Sequence, residues 1–277
     1  MKSIYQNYSV NEMNRISNYH THIYLCKHAT GDSEDYIKKA IALNYEDIGI
    51  SDHGPLSIIY VSRRMSKEEY YQIYLPNLID LKNKYQNKIN VLTAVEVEFF
   101  PECIDEYKQY LTELDYLILG QHDVEYNGIL KSVYSKTFSE DDLIIYRDLV
   151  VQALKTGLFK ILAHPDIFMF ILRDYNLVCE KVAQDIIETA YQNNVYLEFN
   201  ANGLRKYIKD EKGKTIYTYP YPKFWEQVKA FQDEHPDLLV LISDDCHSVD
   251  HLQDEATVAA YEILDSLKIK YQDKIKL

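Results

Sequence analysis

The chain has 277 residues, which is enough for one large α/β domain or two smaller domains with a substantial core. It contains 30 Lys and Arg against 43 Asp and Glu, and the formal net charge of −13 argues against binding to the phosphate backbone of a nucleic acid. Because no apolar run could span a membrane, the N-terminal stretch lacks an apolar signal core and the cysteines form no CxxC pair, we expect a cytoplasmic protein without a disulfide framework.

Apolar and β-branched runs alternate along the chain with amphipathic stretches that have helical spacing. The runs predict seven strands, at residues 17–20, 47–51, 90–96, 116–120, 160–163, 195–199 and 238–242. The amphipathic stretches predict helices near residues 33–44, 68–86, 105–114, 139–157, 179–194, 221–235 and 254–267. The first of these helices begins near Asp32 and Ser33, either of which can cap its first turn.

This strict alternation predicts parallel strands joined by right-handed crossovers. The strand at residues 238–242 is apolar without alternation, as expected for a strand covered on both faces. Seven β/α units favour a closed or nearly closed barrel, although an open doubly wound sheet has the same alternation. The chain shows no linker and no internal repeat, so we expect a single domain over residues 1–277.

Histidines cluster at the carboxyl ends of the predicted strands, and only His235 and His251 of the nine lie elsewhere. The clustered histidines are His20, His22, His28, His53, His122, His164 and His247. The carboxylates that accompany them are Asp52, Glu96 and Asp245. In a parallel barrel this rim is where active sites form, and residues two apart on a strand face the same side. Because imidazole is the commonest protein ligand of transition metals, the pattern predicts a multinuclear metal site.

The same residues carry a family resemblance that spans most of the chain. Their order resembles the motifs of the PHP (polymerase and histidinol phosphatase) superfamily: His20-Thr21-His22, His28, Ser51-Asp52-His53, Glu96 with Glu98, His122, Ala163-His164-Pro165 and Asp245-Cys246-His247. A second set of motifs is similar to the histidinol-phosphate phosphatase branch of that superfamily: Leu197-Glu198-Phe199-Asn200, Gly203-Leu204-Arg205-Lys206 and Tyr219-Pro220.

The resemblance implies a distorted (β/α)7 barrel, similar to a TIM barrel, that holds three divalent metal ions. It assigns one ion to His20, His22, Glu96 and Asp245, a second to Glu96, His122 and His164, and the third to His28, His53 and His247. Nitrogen and carboxylate ligands suit Mn, Zn or Fe, and the sequence does not choose among these metals. The last motif contains both Asp244 and Asp245, and the Asp-x-His spacing favours Asp245 as the ligand.

The activity implied by the resemblance is hydrolysis of L-histidinol phosphate to L-histidinol and inorganic phosphate in histidine biosynthesis. We expect a hydroxide bridging the metals joined by Glu96 to attack phosphorus, with Asp245 and His247 completing the catalytic metal site. We expect the planar fork of Arg205 to bind the phosphate with help from Lys206. The residues expected to contact the ammonium and imidazole of the substrate are Glu198 and Asn200. The carboxylic acids considered as proton donors to the leaving group are Asp52, Asp166 and Asp244.

Two other functions remain open at this stage. One is a PHP-type phosphoesterase that acts on another small phosphate ester or on nucleic acid, although acidic charge counts against nucleic acid. The other is a PHP module without catalysis, which the complete set of ligand residues makes the weaker hypothesis. The sequence does not indicate the oligomeric state.

Overall fold

The computed structural model describes residues 9–10, 13–58, 63–126, 128–172, 174–209 and 215–277. Its strands are β1 (Ser17–Asn18), β2 (Asp47–Ile50), β3 (Asn90–Val97), β4 (Tyr116–Leu119), β5 (Asp123–Tyr126), β6 (Ile129–Ser132), β7 (Ile161–Leu162), β8 (Tyr196–Asn200), β9 (Tyr207–Lys209), β10 (Thr215–Tyr217) and β11 (Val240–Ser243). Seven of them form one parallel sheet in the order β1-β2-β3-β4-β7-β8-β11. These are the seven strands that the sequence predicts, with ends that differ by one or two residues.

The sheet closes nearly into a barrel just beyond the ends of its first and last strands. Thr21 and Cys246 form an isolated parallel bridge between the segments that follow β1 and β11. The backbone N–H of His22 donates to the carbonyl of Cys246 at 2.8 Å, and the N–H of Cys246 donates to the carbonyl of His20 at 3.3 Å. The predicted distorted (β/α)7 barrel is therefore confirmed, and the open sheet is excluded.

Helices follow the strands as predicted. They are α1 (Ser33–Ala42), α2 (Lys67–Glu69), α3 (Leu75–Tyr85), α4 (Ile104–Glu113), α5 (Glu140–Lys155), α6 (Met169–Leu172), α7 (Leu177–Gln192), α8 (Asn202–Arg205), α9 (Pro222–Glu234) and α10 (Glu255–Leu267). A π-helical turn, Tyr70–Tyr74, joins α2 to α3 in one stretch. Asp32 caps α1 by accepting a hydrogen bond from the N–H of Asp35, which decides between the two expected caps. No helix among the described residues is long and apolar enough to cross a membrane.

Two antiparallel hairpins were not predicted: β5 pairs with β6, and β9 pairs with β10. Their strands are only three or four residues long, and the exposed β5 and β6 lack the apolar runs by which the barrel strands were recognised. The one local signal for the first hairpin is the Asn-Gly pair at residues 127–128, which is typical of a tight turn, and Gly128 has a φ of +77°. The first hairpin stands directly after His122, at the rim of the barrel.

The hydrophobic core has two parts because strand side chains alternate between the faces of the sheet. Val95, Leu117 and Leu197 belong to the large outer cluster between the sheet and the helices. The alternate residues form a separate cluster, which we call the interior layer: Tyr19, Leu92, Ala94, Tyr116, Ile118, Ile161, Ala163, Tyr196 and Leu241. The interior layer lies toward the amino ends of the strands, and a cavity opens toward their carboxyl ends.

Candidate metal centre

A cavity of about 640 Å³ opens at the carboxyl ends of the barrel strands, and eight of the nine expected metal ligands, all but His20, line it. Glu96, near the end of β3, lies at the centre of these ligands. Its Oε2 atom is 3.0 Å from Nδ1 of His53 and 3.4 Å from Nε2 of His22. Its Oε1 atom is 3.0 Å from Nε2 of His164 and 3.9 Å from Nε2 of His122. The carboxylate therefore faces one group of ligands with each oxygen, which is the geometry that a bridging ligand needs.

Among the described residues, possible ligand atoms form four groups, each with its atoms within 4.8 Å of one another, and one of them, His22 with Cys26 and Asp52, was not expected. The other three groups are His20, His22 and Asp245; Glu96, His122 and His164; and His22, His53 and His247. The first two agree with the expected sets. For the third, His28 was expected beside His53 and His247, and its Nε2 atom lies 3.1 Å from Nε2 of His247. The structure thus brings together all nine residues expected to bind metal.

In five of the seven candidate histidines Nε2 is free to bind a metal, because Nδ1 on the other side of the ring already has an acceptor. Nδ1 of His20 donates to Glu198 at 2.8 Å, and Nδ1 of His28 donates to the carbonyl of Cys26 at 2.8 Å. A proton on Nδ1 leaves the lone pair on Nε2, the atom directed at the other ligands. The Nε2 atoms of His20 and His22 face each other at 3.0 Å, an arrangement that a shared cation stabilises.

Carboxylates behind the histidines set these tautomers. Asp52 accepts from Nδ1 of His22 at 3.2 Å, and Glu98 accepts from Nδ1 of His122 at 3.1 Å. Asp52 was considered as a proton donor to the leaving group, but its contact with Nδ1 of His22 is that of a residue that orients a ligand. Glu98 is itself held by Arg64, whose Nη2 donates to it at 2.6 Å.

The positions of Glu198 and Asn200 differ from the expectation that they contact substrate. Glu198 is fully buried and does not line the cavity. Besides His20, it accepts from the backbone N–H of His164 at 3.1 Å and from Nδ2 of Asn200 at 2.8 Å. Asn200 also donates to Oδ2 of Asp245 at 3.1 Å. The two residues end β8, where the alternation of the strand directs them inward, and they contact candidate ligands without lining the cavity.

The structure distinguishes the two adjacent aspartates of the last motif. Oδ1 of Asp245 lies 3.2 Å from Nε2 of His22 and, although buried, accepts no hydrogen bond from the described part of the chain. Asp244 points away from the cavity, where it accepts from Arg15 at 2.5 Å and from the hydroxyl of Thr257 at 2.7 Å. A buried carboxylate oxygen without a donor fits a cation, so Asp245 is the aspartate placed to bind metal.

Backbone features that the sequence motifs do not reveal hold two of the ligands in place. Asp245 and His164 have left-handed φ angles of +45° and +32°, which are uncommon for residues other than glycine and are concentrated at functional sites. Gly120 leaves room for Glu96, because a Cβ atom at this position would lie 1.9 Å from Oε1 of the carboxylate. The central ligand therefore depends on the absence of a side chain on the neighbouring strand.

The electrostatics of the site favour ionised carboxylates but divide the histidines. Despite their burial, nearby carboxylates raise the pKa of His20, His22 and His122 above its ordinary value, whereas burial lowers the pKa of His28. Burial tends to raise the pKa of Glu96, but the neighbouring His53 and His20 outweigh it, and the pKa lies well below its ordinary value. Burial holds the pKa of His53 well below its ordinary value despite the nearby Glu96. A neutral imidazole and an ionised carboxylate are the protonation states that bind metals.

Arg205 is not where the sequence predicted it to be. It does not line the cavity, and its Nε and Nη2 donate to the two carboxylate oxygens of Asp254 at 2.7 and 3.0 Å. Its Nη1 donates to the carbonyl of Asp244 at 2.6 Å. The planar fork that suits a phosphate is thus matched to a carboxylate at the start of α10. Lys206, the next residue, does line the cavity.

The acids considered as proton donors also lie outside the cavity lining. Asp166 is buried and accepts from Nε1 of Trp225 at 3.1 Å. Burial raises its pKa to about 7, but no face of this carboxylate lines the cavity. None of Asp52, Asp166 and Asp244 is therefore placed to reach a leaving group.

Tyr219, quoted in a motif without a role, lines the cavity, and several other residues that line it were missed from the sequence: Arg63, Arg64, Asp123, Tyr134, Phe170 and His251. Most of them lie in loops that connect the barrel elements, where no periodic pattern indicates which way a side chain points. His251 had been set apart from the rim, yet its Nδ1 accepts from the backbone N–H of His247 at 3.3 Å. Its spacing of four residues from His247, within the same loop, was the available signal.

Comparisons with known proteins identify relatives of this chain. The family model of the PHP domain matches residues 18–202. The chain is 27% identical to a probable histidinol-phosphatase of Deinococcus radiodurans, with 73% of this chain and 77% of that protein covered. It is 22% identical to the histidinol-phosphatase of Bacillus subtilis, with 69% and 84% covered. A crystal structure of histidinol phosphate phosphatase from Lactococcus lactis, in complex with zinc, L-histidinol and phosphate, has a similar fold, with a TM-score of 0.67, 15% identity, and 95% and 99% of the two chains covered.

Proposed function

Because this chain belongs to the PHP domain family, we propose that it is a metal-dependent phosphomonoesterase that hydrolyses L-histidinol phosphate to L-histidinol and inorganic phosphate in histidine biosynthesis. The observation that carries the phosphoesterase chemistry is the Glu96 carboxylate, which faces a different group of ligands with each oxygen. The choice of substrate is supported by the two relatives named histidinol-phosphatase and by the L-histidinol and phosphate bound in the Lactococcus lactis enzyme.

The donor atoms fit three divalent metal ions. His20, His22 and Asp245 would hold one ion together with Glu96, and the same carboxylate would bind a second ion with His122 and His164. The residues proposed for the third ion are His28, His53 and His247. Zinc in the related crystal structure, with ligands of the same chemical kind here, supports Zn, and Mn and Fe accept these ligands as well.

Divalent ions at these positions would supply a water molecule of lowered pKa and would polarise the phosphoryl oxygens. The contribution of the chain is to hold the ligands in one protonation state and one orientation. Glu198 and Asp52 do this for His20 and His22 by accepting from their Nδ1 atoms. His247 is held similarly, because its Nδ1 donates to the carbonyl of Asp245 at 3.1 Å.

Two cations at the cavity are the groups proposed to bind the phosphate in place of Arg205. Lys206 and Arg63 both line the cavity. Arg64 lines it too, but its guanidinium is paired with Glu98 and serves to hold that carboxylate. Lys206 would therefore keep the role expected from the sequence, whereas Arg63 takes the role that had been given to Arg205.

The proposal extends to the whole chain and to its surroundings. Strand β11 and helix α10 follow the region matched by the family model, and β11 completes the sheet, which supports a single domain over residues 1–277. The cysteines Cys26, Cys103, Cys179 and Cys246 are all free and buried. Free thiols are usual in a reducing compartment, which supports a cytoplasmic location.

The test is phosphate release from L-histidinol phosphate and from a panel of other small phosphomonoesters, after reconstitution with Mn, Fe or Zn. We expect the highest kcat/KM for L-histidinol phosphate. The Glu96→Gln variant, purified in the same way, is the matched control for contaminating phosphatases. Equal or faster turnover of an unrelated ester would contradict the substrate and favour the alternative, a PHP phosphoesterase for another small phosphate ester.

A further inference from the structure

Three aromatic side chains stand together on one side of the cavity, and the metal centre makes no use of them. Tyr134 follows β6, Phe170 lies in α6, and Tyr219 precedes α9, so three separate connections of the barrel supply them. The rings of Tyr134 and Phe170 meet edge to face, with centroids 4.7 Å apart and planes at 89°. The ring of Phe170 lies 6.4 Å from that of Tyr219. We refer to these three side chains as the aromatic wall.

We propose that the aromatic wall is the subsite that receives the ring of the substrate and thereby selects leaving groups that contain a flat ring. This inference rests on the proposed function, because it names the part of the cavity that distinguishes L-histidinol phosphate from other phosphate esters. Aromatic rings attract one another through offset and edge-to-face contacts, which a chain of methylene groups does not reproduce.

The position of the wall relative to the ligands fits such a substrate. The ring of Tyr134 lies 6.1 Å from that of His122, and the ring of Tyr219 lies 6.1 Å from that of His164. The wall thus borders the side of the metal centre that Glu96 shares with these two histidines. In L-histidinol phosphate the ring carbon and the phosphorus are joined through four atoms, which span roughly 6 Å when extended. A phosphate at the ligands therefore places the ring beside the wall.

Charged side chains in the cavity complement the phosphate and the ammonium group of the substrate. Lys206 and Arg63 line the cavity and would meet the phosphate. The Asp123 carboxylate lines the cavity immediately after His122. Among the described residues that line the cavity, it is the one carboxylate that belongs to none of the ligand groups and is not paired with Arg64. It supplies a counter-charge for the ammonium group that lies between the phosphate and the ring. A molecule with an anion, a cation and a flat ring in that order matches the cavity along its length.

The experiment compares two substrates in four proteins. L-histidinol phosphate and L-alaninol phosphate share the phosphate and the ammonium group but differ in the ring, and kcat/KM is measured for both with the wild type, Tyr134→Leu, Tyr134→Phe and Tyr126→Leu. Tyr134 is 40% exposed, so its replacement is tolerated by the fold. Tyr126 is an exposed aromatic residue on the same hairpin that does not line the cavity, and its variant is the matched control.

In Tyr134→Leu we expect the ratio of kcat/KM for the two substrates to fall roughly 3- to 10-fold, the range expected for loss of one aromatic contact. In Tyr134→Phe and Tyr126→Leu the ratio should stay within about twofold of the wild type, because the ring is kept or was never at the cavity. Equal losses on both substrates in Tyr134→Leu, or a loss in Tyr134→Phe as large as in Tyr134→Leu, would overturn the aromatic wall. A wild type inactive on L-histidinol phosphate would instead contradict the proposed function itself.

Discussion

Two layers of side chains inside the barrel have opposite chemistry, although the same strands supply both. On β3, Leu92 and Ala94 belong to the interior layer, and Glu96, two residues further along, lies among the metal ligands. On β8, Tyr196 belongs to the interior layer, and Glu198 accepts from His20. Inward-facing residues recur at every second position of a strand. On β3 and β8 the last residue of the apolar interior layer is therefore only two positions before the first residue of the polar layer.

The difference between the layers shows how the fold divides stability from chemistry. The interior layer contains few polar atoms and stabilises the barrel by removing apolar surface from water. The polar layer above it buries Glu96, Glu198 and Asp245, and charges taken out of water destabilise a fold unless they are paired or bind a cation. Substitutions in the lower layer should therefore affect folding, and those in the upper layer should affect metal binding and catalysis.

The largest effect is expected for Glu96→Gln, which tests whether the Glu96 carboxylate serves the ligand groups on both of its sides. The neutral amide cannot serve both ligand groups as an anion, so we expect kcat/KM to fall about 10³-fold or more, because several kcal/mol of transition-state stabilisation depend on the metal site. Phosphate release and bound metal per chain are measured together. The Tm should fall as well, because the ionised carboxylate is paired with the surrounding histidines and its removal leaves them without that partner. A variant with full metal content and near wild-type activity would disprove the central position of Glu96.

In the interior layer, Leu241→Ala is expected to lower stability but not activity. Leu241 is 1% exposed, and its truncation leaves a cavity within the barrel. We expect the free energy of unfolding to fall by about 2–5 kcal/mol, measured by denaturant titration. At a temperature where the variant remains folded, kcat/KM should change by less than about threefold, because no ligand is touched. A large loss of kcat/KM with unchanged stability would show that the two layers are not separate.

The sequence predicted features that depend on neighbouring residues better than contacts between distant parts of the chain. Strand periodicity predicted the barrel, and the order of the histidine motifs predicted nine candidate ligands that the structure brings together, because each of these signals lies within a few residues of a strand end. The partners of Arg205 and Glu198 were not predictable in this way. Asp254 lies 49 residues from Arg205 and His20 lies 178 residues from Glu198, and only the closed barrel brings them into contact. From residue type alone, Arg205 was expected to bind the phosphate and Glu198 to contact the substrate. In the structure, Arg205 is paired with Asp254 and Glu198 accepts from His20.

The variant Glu198→Gln tests the boundary between the layers, where a buried carboxylate orients ligands without meeting substrate. The amide can accept from Nδ1 of His20, but it cannot accept at both oxygens as the carboxylate does from His20, the His164 N–H and Asn200. We expect metal affinity to fall 10- to 100-fold, the range typical of lost partners behind metal ligands. Competition with a chelator measures this directly, independently of turnover. If KM rises while metal affinity stays unchanged, Glu198 contacts the substrate after all.

The smallest effect on catalysis is expected for Arg205→Ala, compared with Lys206→Ala on the neighbouring residue. Arg205 is paired with Asp254 and lies away from the cavity, so its loss should lower the free energy of unfolding by about 1.5–3 kcal/mol, as for a hydrogen bond to a charged group, and leave kcat/KM nearly unchanged. Lys206 lines the cavity, and its replacement should raise KM for phosphate esters several-fold without changing stability. Kinetics and thermal unfolding of both variants show whether the phosphate is bound by Arg205, as its residue type suggested, or by Lys206, as its position at the cavity suggests. A greater loss of kcat/KM in Arg205→Ala than in Lys206→Ala would return phosphate binding to the arginine.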